Sequence, residues 1–302
     1  MVLLKSCKAF LLLIVLIICV TACDKPKSTT TAPPNTLAPN DSAITMLNVA
    51  YGTDPQQVMD VYLPNGRTTD TTKVAILIHG GAWIQGDKTD YDVDDFKTIL
   101  PSYAIFNLNY RLGNELTMAN PFPAQELDIK AAVQFIYDHR AAYIISNNWC
   151  YFGTSAGAQL ALLQAYKYTT PIIPKVVIDY YGPTDLVDLY NYNAASPYSA
   201  FFQPLIYFMM TGTPTSNPGI YVSSSPMTYV TAASPKTIIL QGELDSTVPY
   251  IESQRLHDTL TTLSVVNKYI LYPNQGHGFT GNDALDSYYQ VDSFLVANMP
   301  NN

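Results

Sequence analysis

A single serine, Ser155, stands between two glycines in the segment GTSAG. The residues before it form a short apolar run typical of a strand, and those after it are rich in alanine and typical of a helix. A sharp strand-to-helix turn forces its central residue into a strained backbone conformation, and Gly153 and Gly157 would relieve the crowding around it. Such a turn would present the Ser155 hydroxyl above the start of the helix, where it could act as a nucleophile.

Two loops nearer the C-terminus carry side chains that could activate this serine. A serine hydroxyl is a weak nucleophile at its own pKa, so it needs a base within hydrogen-bonding reach and a carboxylate that fixes the tautomer of that base. His277, in NQGHGF, is the candidate base, and Asp245, in GELDSTVP, is the candidate carboxylate. Asp185, in GPTDL, stays open as an alternative acid, whereas His257 lies in a helical pattern and is expected at the surface. We therefore predict Ser155, Asp245 and His277 as the catalytic residues.

Acyl transfer at such a serine would also need hydrogen-bond donors for the negative oxygen of the tetrahedral intermediate. The residue after the nucleophile, Ala156, offers its N–H from the start of the predicted helix. The segment HGGAW offers further donors, because a glycine pair lets the backbone approach a substrate closely, and we assign these donors to Gly81 and Ala82. His79, which begins this segment, is expected to be a structural residue of the loop.

The candidate loops follow short apolar runs that are separated by helix-length stretches. Eight runs have the length and composition of strands: ITMLNVAYG, VMDVYLP, KVAILIHG, AIFNLNY, WCYFGTS, KVVIDYYG, KTIILQG and KYILYP. Helical patterns lie near Ala124 to His139, Ala156 to Tyr168, Tyr250 to Leu263 and Ala284 to Ala297. This alternation indicates an α/β protein with a mostly parallel sheet covered on both faces. In such a sheet the ligand site lies beyond the carboxyl ends of the strands.

The combination of motifs resembles a known enzyme family. The motifs, in chain order from about Lys73 to Phe279, are VAILIHGGAWIQGDK, NLNYRL, PFPAQELDIKAAVQFI, FGTSAGAQLAL, VIDYYGPTDL, SSPMTYV, IILQGELDSTVP and GHGF. Together they resemble the α/β-hydrolase esterases of the hormone-sensitive-lipase-like and bifunctional feruloyl/acetylxylan esterase kind. The order serine, aspartate, histidine along the chain is also that of α/β-hydrolases and differs from that of chymotrypsin or subtilisin.

This resemblance implies an α/β-hydrolase fold, with a mostly parallel eight-stranded sheet, helices on both faces and a possible small cap insertion. Three positions depart from the family pattern: Ala82 where a third glycine is common, Thr154 where Asp, Glu or His is frequent, and Gln241 where His is usual. The candidate cap lies between residues 187 and 230 and contains the apolar run AFFQPLIYFMM. This run could line a substrate pocket or could simply pack two helices against the core.

The N-terminal segment differs in character from the rest of the chain. Lys5 and Lys8 precede an apolar run from Ala9 to Val20, and the sequence VTAC follows. This arrangement is typical of a signal peptide, and the apolar run is short for a membrane span. A cysteine directly after the small residues resembles the bacterial lipobox, in which Cys23 would be lipidated and become the first residue of the mature chain.

We accordingly expect three parts in this chain. They are a lipoprotein signal peptide over residues 1–22, a disordered tether rich in Thr, Pro and Ser over residues 23–42, and an α/β-hydrolase catalytic domain over residues 43–302. The expected location is that of an exported bacterial lipoprotein, anchored through its N-terminal lipid and facing the periplasm or the cell surface. Plain secretion with an incidental cysteine is the alternative.

The composition narrows the kinds of partner and site. The chain has 16 Lys and Arg against 24 Asp and Glu residues, and two of the lysines fall in the predicted signal peptide, so the remainder carries a formal charge of about −10. Such a balance disfavours nucleic acid and anionic lipid as partners. Cys150 is predicted to be a buried apolar residue of a strand. Four histidines without a His-Glu-x-x-His motif or paired cysteines favour a site with no metal, and we expect no cofactor.

The function that the residues and the resemblance imply is hydrolysis of carboxylic esters through an acyl-enzyme. The expected substrate is a small-molecule or polysaccharide ester of short-chain, acetyl or feruloyl type. Two alternatives stay open: an aryl-formamide or peptide hydrolase with the same triad, and a noncatalytic surface binding module on a hydrolase fold. The sequence leaves the oligomeric state open.

The predicted lipid on Cys23 makes membrane attachment depend on one sulfur atom. In a bacterial host, the wild-type chain should enter the detergent phase on phase partitioning, because two or three acyl chains anchor a protein firmly whereas one is marginal. The Cys23→Ser variant should stay in the aqueous phase. Partitioning of both proteins into the aqueous phase would contradict lipidation.

Overall fold

A computed structural model describes residues 42–195 and 199–300, without the side chains of residues 193–195 and 199–201. The predicted signal peptide, Cys23 and nearly all of the predicted tether lie outside the described residues. Among the described residues, no helix is both long enough and apolar enough to cross a membrane.

Eight strands form one sheet. They span Ile44–Ala50 (β1), Val58–Leu63 (β2), Lys73–Ile78 (β3), Tyr103–Leu108 (β4), Trp149–Thr154 (β5), Val176–Tyr180 (β6), Lys236–Gly242 (β7) and Asn267–Tyr272 (β8). Their order in the sheet is β1-β2-β4-β3-β5-β6-β7-β8. β2 is antiparallel to both β1 and β4, and every other neighbouring pair is parallel. The predicted mostly parallel eight-stranded sheet is confirmed.

The central strands are apolar throughout because both faces of the sheet are covered. Along β3, Val74 and Ile76 belong to one core cluster, whereas Ala75 and Leu77 belong to the other. Successive side chains of a strand point to opposite faces, so one strand contributes to both clusters. Cys150, on the neighbouring strand β5, is fully buried in the second cluster, as predicted.

Nine α-helices lie within the described residues. They span Val93–Ile99 (α1), Ala124–Asp138 (α2), Arg140–Tyr143 (α3), Ala156–Lys167 (α4), Leu186–Ala195 (α5), Ser199–Met209 (α6), Pro218–Ser224 (α7), Tyr250–Thr262 (α8) and Gly281–Asn298 (α9). The four predicted helical patterns are α2, α4, α8 and α9, and the largest difference is that α9 begins at Gly281 rather than Ala284. The sequence did not predict the short helices α1 and α3, which are too short to show a clear period.

The helices divide between the two faces of the sheet. Helices α2, α4 and α8 cover the first core cluster, to which they contribute Ile129, Leu160 and Leu256. Helices α1 and α9 cover the second, with Phe96 and Phe294. This two-sided covering is the layer arrangement expected of an α/β fold.

The insertion between β6 and β7 contains α5, α6 and α7. Much of its apolar run packs inward, because Leu205, Phe208 and Met209 of α6 are buried in the first core cluster. The N–H of Phe122 donates to the carbonyl oxygen of Met209 at 2.9 Å, which ties the end of α6 to the segment before α2. For these residues the structure therefore shows the packing role rather than the pocket role.

Candidate active site

The predicted catalytic residues follow strands that end at the same edge of the sheet. Ser155 follows β5, Asp245 follows β7 and His277 follows β8. Because these strands run parallel, their carboxyl ends lie side by side. The loops after β7 and β8 also touch closely: a Cβ on Gly242 would lie 2.3 Å from the carbonyl oxygen of Gly276. Glycine at position 242 thus allows the contact that brings the two loops together.

The turn between β5 and α4 has the strained geometry that its sequence predicts. Ser155 has φ 52° and ψ −123°, a conformation that side-chain-bearing residues seldom adopt. A Cβ on Gly153 would lie 2.3 Å from the carbonyl oxygen of Gly157, and one on Gly157 would lie 2.1 Å from that of Ile78. Any larger residue at either position would push the turn off the sheet. The N–H of Ser155 donates to the carbonyl oxygen of Tyr180 on β6 at 2.8 Å, which anchors the turn.

The structure joins the three predicted side chains in one hydrogen-bonded series. The distance from Ser155 Oγ to His277 Nε2 is 2.8 Å, and the distance from His277 Nδ1 to Asp245 Oδ2 is 2.7 Å. A neutral imidazole can donate through one nitrogen and accept through the other, so Nδ1–H donates to the carboxylate and Nε2 accepts from the serine hydroxyl. The Asp245 side chain has no exposed surface, whereas the His277 side chain is 25% exposed. The acid is therefore enclosed, and the imidazole stays open to a ligand.

The backbone of the turn after β7 holds the Asp245 carboxylate. Its Oδ1 accepts from the N–H of Thr247 at 2.8 Å and from the N–H of Val248 at 2.9 Å. Its Oδ2 accepts from Gln241 Nε2 at 3.0 Å as well as from His277. Hydrogen bonds from neutral donors stabilise the charged form of a buried carboxylate. Gln241 drew notice in the sequence only as a departure from the family pattern.

The HGGAW loop, the segment His79 to Trp83, lies against the serine turn. A Cβ on Gly80 would lie 3.3 Å from Ser155 Cβ and 3.0 Å from the carbonyl oxygen of Thr154. The loop is also tied to α4, because Trp83 Nε1–H donates to the side-chain oxygen of the buried Gln159 at 3.0 Å. Gly80, which directly precedes the predicted donors Gly81 and Ala82, thus packs against the predicted nucleophile.

The carbonyl groups of this region show which way the neighbouring N–H groups point. The Gly81 carbonyl accepts from the N–H groups of Ile84 and Gln85 inside its own loop. In a trans peptide the C=O and the following N–H point in opposite directions, so the Ala82 N–H points away from these bonds. The Ser155 carbonyl accepts from the helix α4, so the Ala156 N–H likewise points away from the helix.

Positive φ angles explain why the esterase family that this chain resembles often has glycine where this chain has Ala82. Gly81, Ala82 and Trp83 have φ angles of 108°, 51° and 65°. A left-handed conformation disfavours an L-residue with a Cβ by roughly 1–2 kcal/mol, a penalty that glycine avoids. The alanine in this chain therefore carries a local backbone strain, which the packing of Trp83 against Gln159 and Phe122 offsets.

His79 has the surroundings of a structural residue, as expected. It is 1% exposed, and its ring stacks on Tyr110 with 4.3 Å between ring centroids. Its Nδ1–H donates to the carbonyl oxygen of Gly80 at 2.7 Å. Burial lowers the pKa of His79, which favours the neutral ring. His79 therefore stabilises the HGGAW loop through these contacts.

Two aromatic side chains lie near His277, and the sequence analysis did not single them out. The ring of Tyr181 lies 4.8 Å from the His277 ring, and Phe279 lies 5.3 Å from Tyr181. Tyr181 has φ 47° and its N–H donates to the carbonyl oxygen of Leu240, so its backbone is held at the end of β6. The signal for both residues was their position in the motifs DYYG and GHGF, directly beside the predicted site.

Thr154 and Tyr91 form a second polar contact beneath the serine turn. The Tyr91 hydroxyl donates to the carbonyl oxygen of Ile78 at 2.7 Å and lies 3.0 Å from Thr154 Oγ1, which can donate to it. Burial raises the pKa of Tyr91 well above its ordinary value, so the hydroxyl stays protonated. The family position that often holds a charged residue is therefore occupied here by a neutral hydrogen-bonded pair.

The alternative acid, Asp185, lies in a different hydrogen-bonded group. Its Oδ1 accepts from the N–H groups of Val187 and Asp188 at the start of α5, and its Oδ2 lies 3.7 Å from an Arg255 nitrogen. His257 is half-buried on α8 and hydrogen-bonds through Nδ1 to Asn267 rather than lying free at the surface. His277 is bonded to Asp245, and Asp185 has the contacts of a helix cap.

The sequence of this chain is similar to those of several known proteins. The sequence model of the BD-FAE family matches residues 59–260. The chain is 27% identical to Esterase LipQ of Mycobacterium tuberculosis over 68% of this chain and 50% of that protein. It is 26% identical to Dipeptidyl aminopeptidase BIII of Pseudoxanthomonas mexicana over 71% of this chain and 31% of that protein. The chain thus spans about half the length, or less, of these curated relatives.

Two solved structures show the same architecture. A truncated carbohydrate esterase from gut microbiota superposes with a TM-score of 0.72 at 20% identity, covering 87% of this chain and 98% of that one. A bifunctional GH43-CE protein of Bacteroides eggerthii superposes with a TM-score of 0.69 at 25% identity, covering 84% of this chain and 38% of that one. The first likeness, at this low identity, concerns the fold.

The two candidate acids can be separated by amide substitutions. Asp245→Asn should fold normally but lose at least about 10³-fold in the rate at which a fluorophosphonate labels Ser155, because the amide favours the wrong tautomer of His277. Asp185→Asn should keep most of the labelling rate, since Asn also caps helices and the lost pair with Arg255 is partly exposed.

Denaturant midpoints of both variants provide the control for folding. A loss of labelling in Asp185→Asn with normal labelling in Asp245→Asn would transfer the acid role to Asp185.

Proposed function

This chain belongs to the BD-FAE family, and on that basis we propose that it is a serine hydrolase that cleaves carboxylic esters through an acyl-enzyme. The observation that carries the proposal is the unbroken series from Ser155 Oγ through the His277 ring to the enclosed Asp245 carboxylate. A hydroxyl at 2.8 Å from an imidazole nitrogen is within reach for proton transfer as its oxygen attacks a carbonyl carbon. The curated relatives named as esterases support the same reaction class.

The proposed reaction has two halves that use the same groups. Ser155 Oγ attacks the ester carbonyl carbon while its proton passes to His277 Nε2, and the tetrahedral intermediate collapses as His277 returns that proton to the leaving alkoxide. Water then attacks the acyl-enzyme, giving a proton to His277, and the second intermediate releases the carboxylic acid as Ser155 regains its proton. Asp245 keeps Nδ1 protonated and stabilises the imidazolium of each step.

The proposed donors to the negative oxygen are the N–H groups of Gly81, Ala82 and Ala156. Two features support this assignment: the Gly80 backbone packs on Ser155, and the carbonyls of Gly81 and Ser155 are turned into other hydrogen bonds. Such donors are preorganised, since the loop and the helix start are already held by these bonds. Removing one donor of this kind typically raises the barrier by about 3–4 kcal/mol.

For the substrate we propose a short acyl group, acetyl or feruloyl in type, on a carbohydrate. This finer proposal is supported by the BD-FAE family match and by neighbours described as a carbohydrate esterase and an acetyl ester-xyloside bifunctional hydrolase. We further propose that the enzyme acts while anchored to a membrane through Cys23, a placement that the lipobox-like sequence supports.

Amide hydrolysis is the second candidate function. The chain matches parts of two dipeptidyl peptidases, Dipeptidyl aminopeptidase BIII and Dipeptidyl peptidase family member 6 of Caenorhabditis elegans, over 31% and 30% of their lengths. The same three catalytic groups cleave amides and esters. Parallel assays with a p-nitrophenyl ester and a dipeptidyl p-nitroanilide separate the two, and turnover of the anilide alone would favour the peptidase.

Replacement of the nucleophile tests catalysis itself. Ser155→Ala should lower kcat for p-nitrophenyl acetate by at least about 10⁴-fold, because the acyl-enzyme can no longer form. Ser102→Ala is the matched control, since Ser102 is exposed before the amino end of β4, at the opposite edge of the sheet. Undiminished turnover in Ser155→Ala, or absence of turnover in the wild type across a panel of esters, would contradict a serine esterase.

The proposed base also predicts a pH dependence. His277 must be neutral to accept the serine proton, so kcat/KM should rise from acid pH and level off once the imidazole has lost its proton. Initial rates with p-nitrophenyl acetate, corrected for spontaneous hydrolysis, measure this profile. A maximum near about pH 4 would indicate a carboxylate base instead of an imidazole.

A further inference from the structure

Gln241 lies at the end of β7 with no exposed surface, and its amide reaches the candidate acid. Its Nε2 lies 3.0 Å from Asp245 Oδ2, 3.2 Å from the carbonyl oxygen of Val248 and 3.2 Å from that of Gly242. Its Oε1 accepts from the Ser253 hydroxyl at 2.9 Å. Every polar atom of this side chain therefore has a partner inside the protein.

The partners also determine which way the amide faces. A carboxylate and two backbone carbonyls can only accept hydrogen bonds, so the nitrogen end must face them. The Ser253 hydroxyl can donate, so the oxygen end must face Ser253. A flipped amide would place its oxygen against three acceptors in a buried site, which is strongly unfavourable. Ser253, from α8, thus holds the N–H of Gln241 toward Asp245.

The two oxygens of Asp245 have different partners. Oδ1 is held by the backbone N–H groups of Thr247 and Val248, whereas Oδ2 is shared between His277 and Gln241. The oxygen that accepts from His277 therefore also accepts from Gln241. A second donor makes this oxygen a weaker acceptor, so it weakens the pull of the carboxylate on the imidazole proton.

We propose that Gln241 is a positioning residue for the hydrolysis proposed above, one that shares Asp245 Oδ2 with His277 and so limits the basicity of the imidazole. It touches no substrate and acts through Asp245. The inference rests on the proposed function for its catalytic consequence, but the effect on the imidazole is a property of the folded protein alone. In the family that this chain resembles, histidine is usual at this position, whereas Gln241 supplies a neutral amide.

The side chains that contact the acid and the base from neighbouring elements are phenols and a serine hydroxyl. Asp179 on β6, whose pKa burial raises to about 7, is the same in every variant compared. From α5, Tyr192 lies close enough to Asp245 that burial and, after it, the charge of Asp245 raise the pKa of this phenol. Tyr181, at the end of β6, has its ring 4.8 Å from the His277 ring at an interplanar angle of 60°. Ser155 contacts the ring from the turn before α4. A change in the titration of His277 on replacing Gln241 can then be assigned to the Asp245 carboxylate.

The experiment replaces Gln241 by Met, which has nearly the same length and shape but cannot donate. NMR of histidine-labelled protein follows the ring proton of His277 with pH, assigned with a His277→Asn sample. We expect the pH midpoint of this titration to move up by about half a unit to one unit in Gln241→Met, because Oδ2 then loses the donor that competes with His277. On the acid side, kcat/KM should fall about threefold to tenfold and should recover on the alkaline side.

Two further variants keep the result interpretable. Ser253→Ala should move the midpoint in the same direction by a smaller amount, because it releases the Gln241 amide without removing it. It also serves if Gln241→Met does not fold. Gln125→Met is the matched control. Gln125, on α2, is equally buried, but it donates to the carbonyls of Arg111 and Asn120 and not to a triad residue. It should leave the midpoint unchanged.

The outcomes separate this inference from the proposed function. An unchanged or lowered midpoint in both Gln241→Met and Ser253→Ala overturns the role of Gln241, whatever the enzyme hydrolyses. A shift that Gln125→Met reproduces also overturns it, because the effect would then follow from general loss of a buried amide. A raised midpoint in a protein that hydrolyses no ester supports the role of Gln241 and leaves the proposed esterase function to fail by itself.

Discussion

The close approach of the β5–α4 turn to strand β3 is the constraint on which the rest of the site depends. With 2.1 Å between a hypothetical Cβ of Gly157 and the carbonyl oxygen of Ile78, no side chain fits between helix and sheet. That closeness and the Ser155 N–H bond to Tyr180 hold Ser155 at φ 52°, a conformation that costs roughly 1–3 kcal/mol and persists because the surrounding structure imposes it. The strain is thus stored where the hydroxyl is presented, and the packing of α4 on the central strands sustains it.

The enclosed acid creates the second requirement, because a buried carboxylate needs donors for both oxygens. Burial raises the pKa of Asp179, on neighbouring β6, to about 7, although it accepts the Gly182 N–H. Burial by itself therefore favours a neutral acid. The turn after β7 supplies Asp245 with two backbone donors, and Gln241 and His277 supply two more. These four donors favour the ionised form that holds the imidazole in its useful tautomer.

The same packing that builds the core also limits what the insertion can do. Helix α6 buries Leu205, Phe208 and Met209 in the first core cluster. The Met209 carbonyl accepts from the N–H of Phe122, whose ring packs against Trp83 of the HGGAW loop, so α6 is linked to that loop through Phe122. Arg255 pairs with both Asp185 and Asp188 and thereby ties the first turn of α5 to α8. The insertion and the HGGAW loop are therefore linked through these contacts, so a substitution that shifts one would also shift the other.

The sequence by itself determined the features that depend on residues close together in the chain. Apolar runs alternating with helical patterns predicted the sheet, and the glycines around Ser155 predicted its turn, because both follow from steric and burial rules over a few residues. The sequence left Asp185 and Asp245 as competing acids, since both follow strands that end at one edge. Only the tertiary structure decided between their contacts, by placing Asp245 2.7 Å from His277 and Asp185 at the start of α5. It alone revealed the Gln241 contact, because a hydrogen bond between side chains depends on how loops distant in sequence pack together.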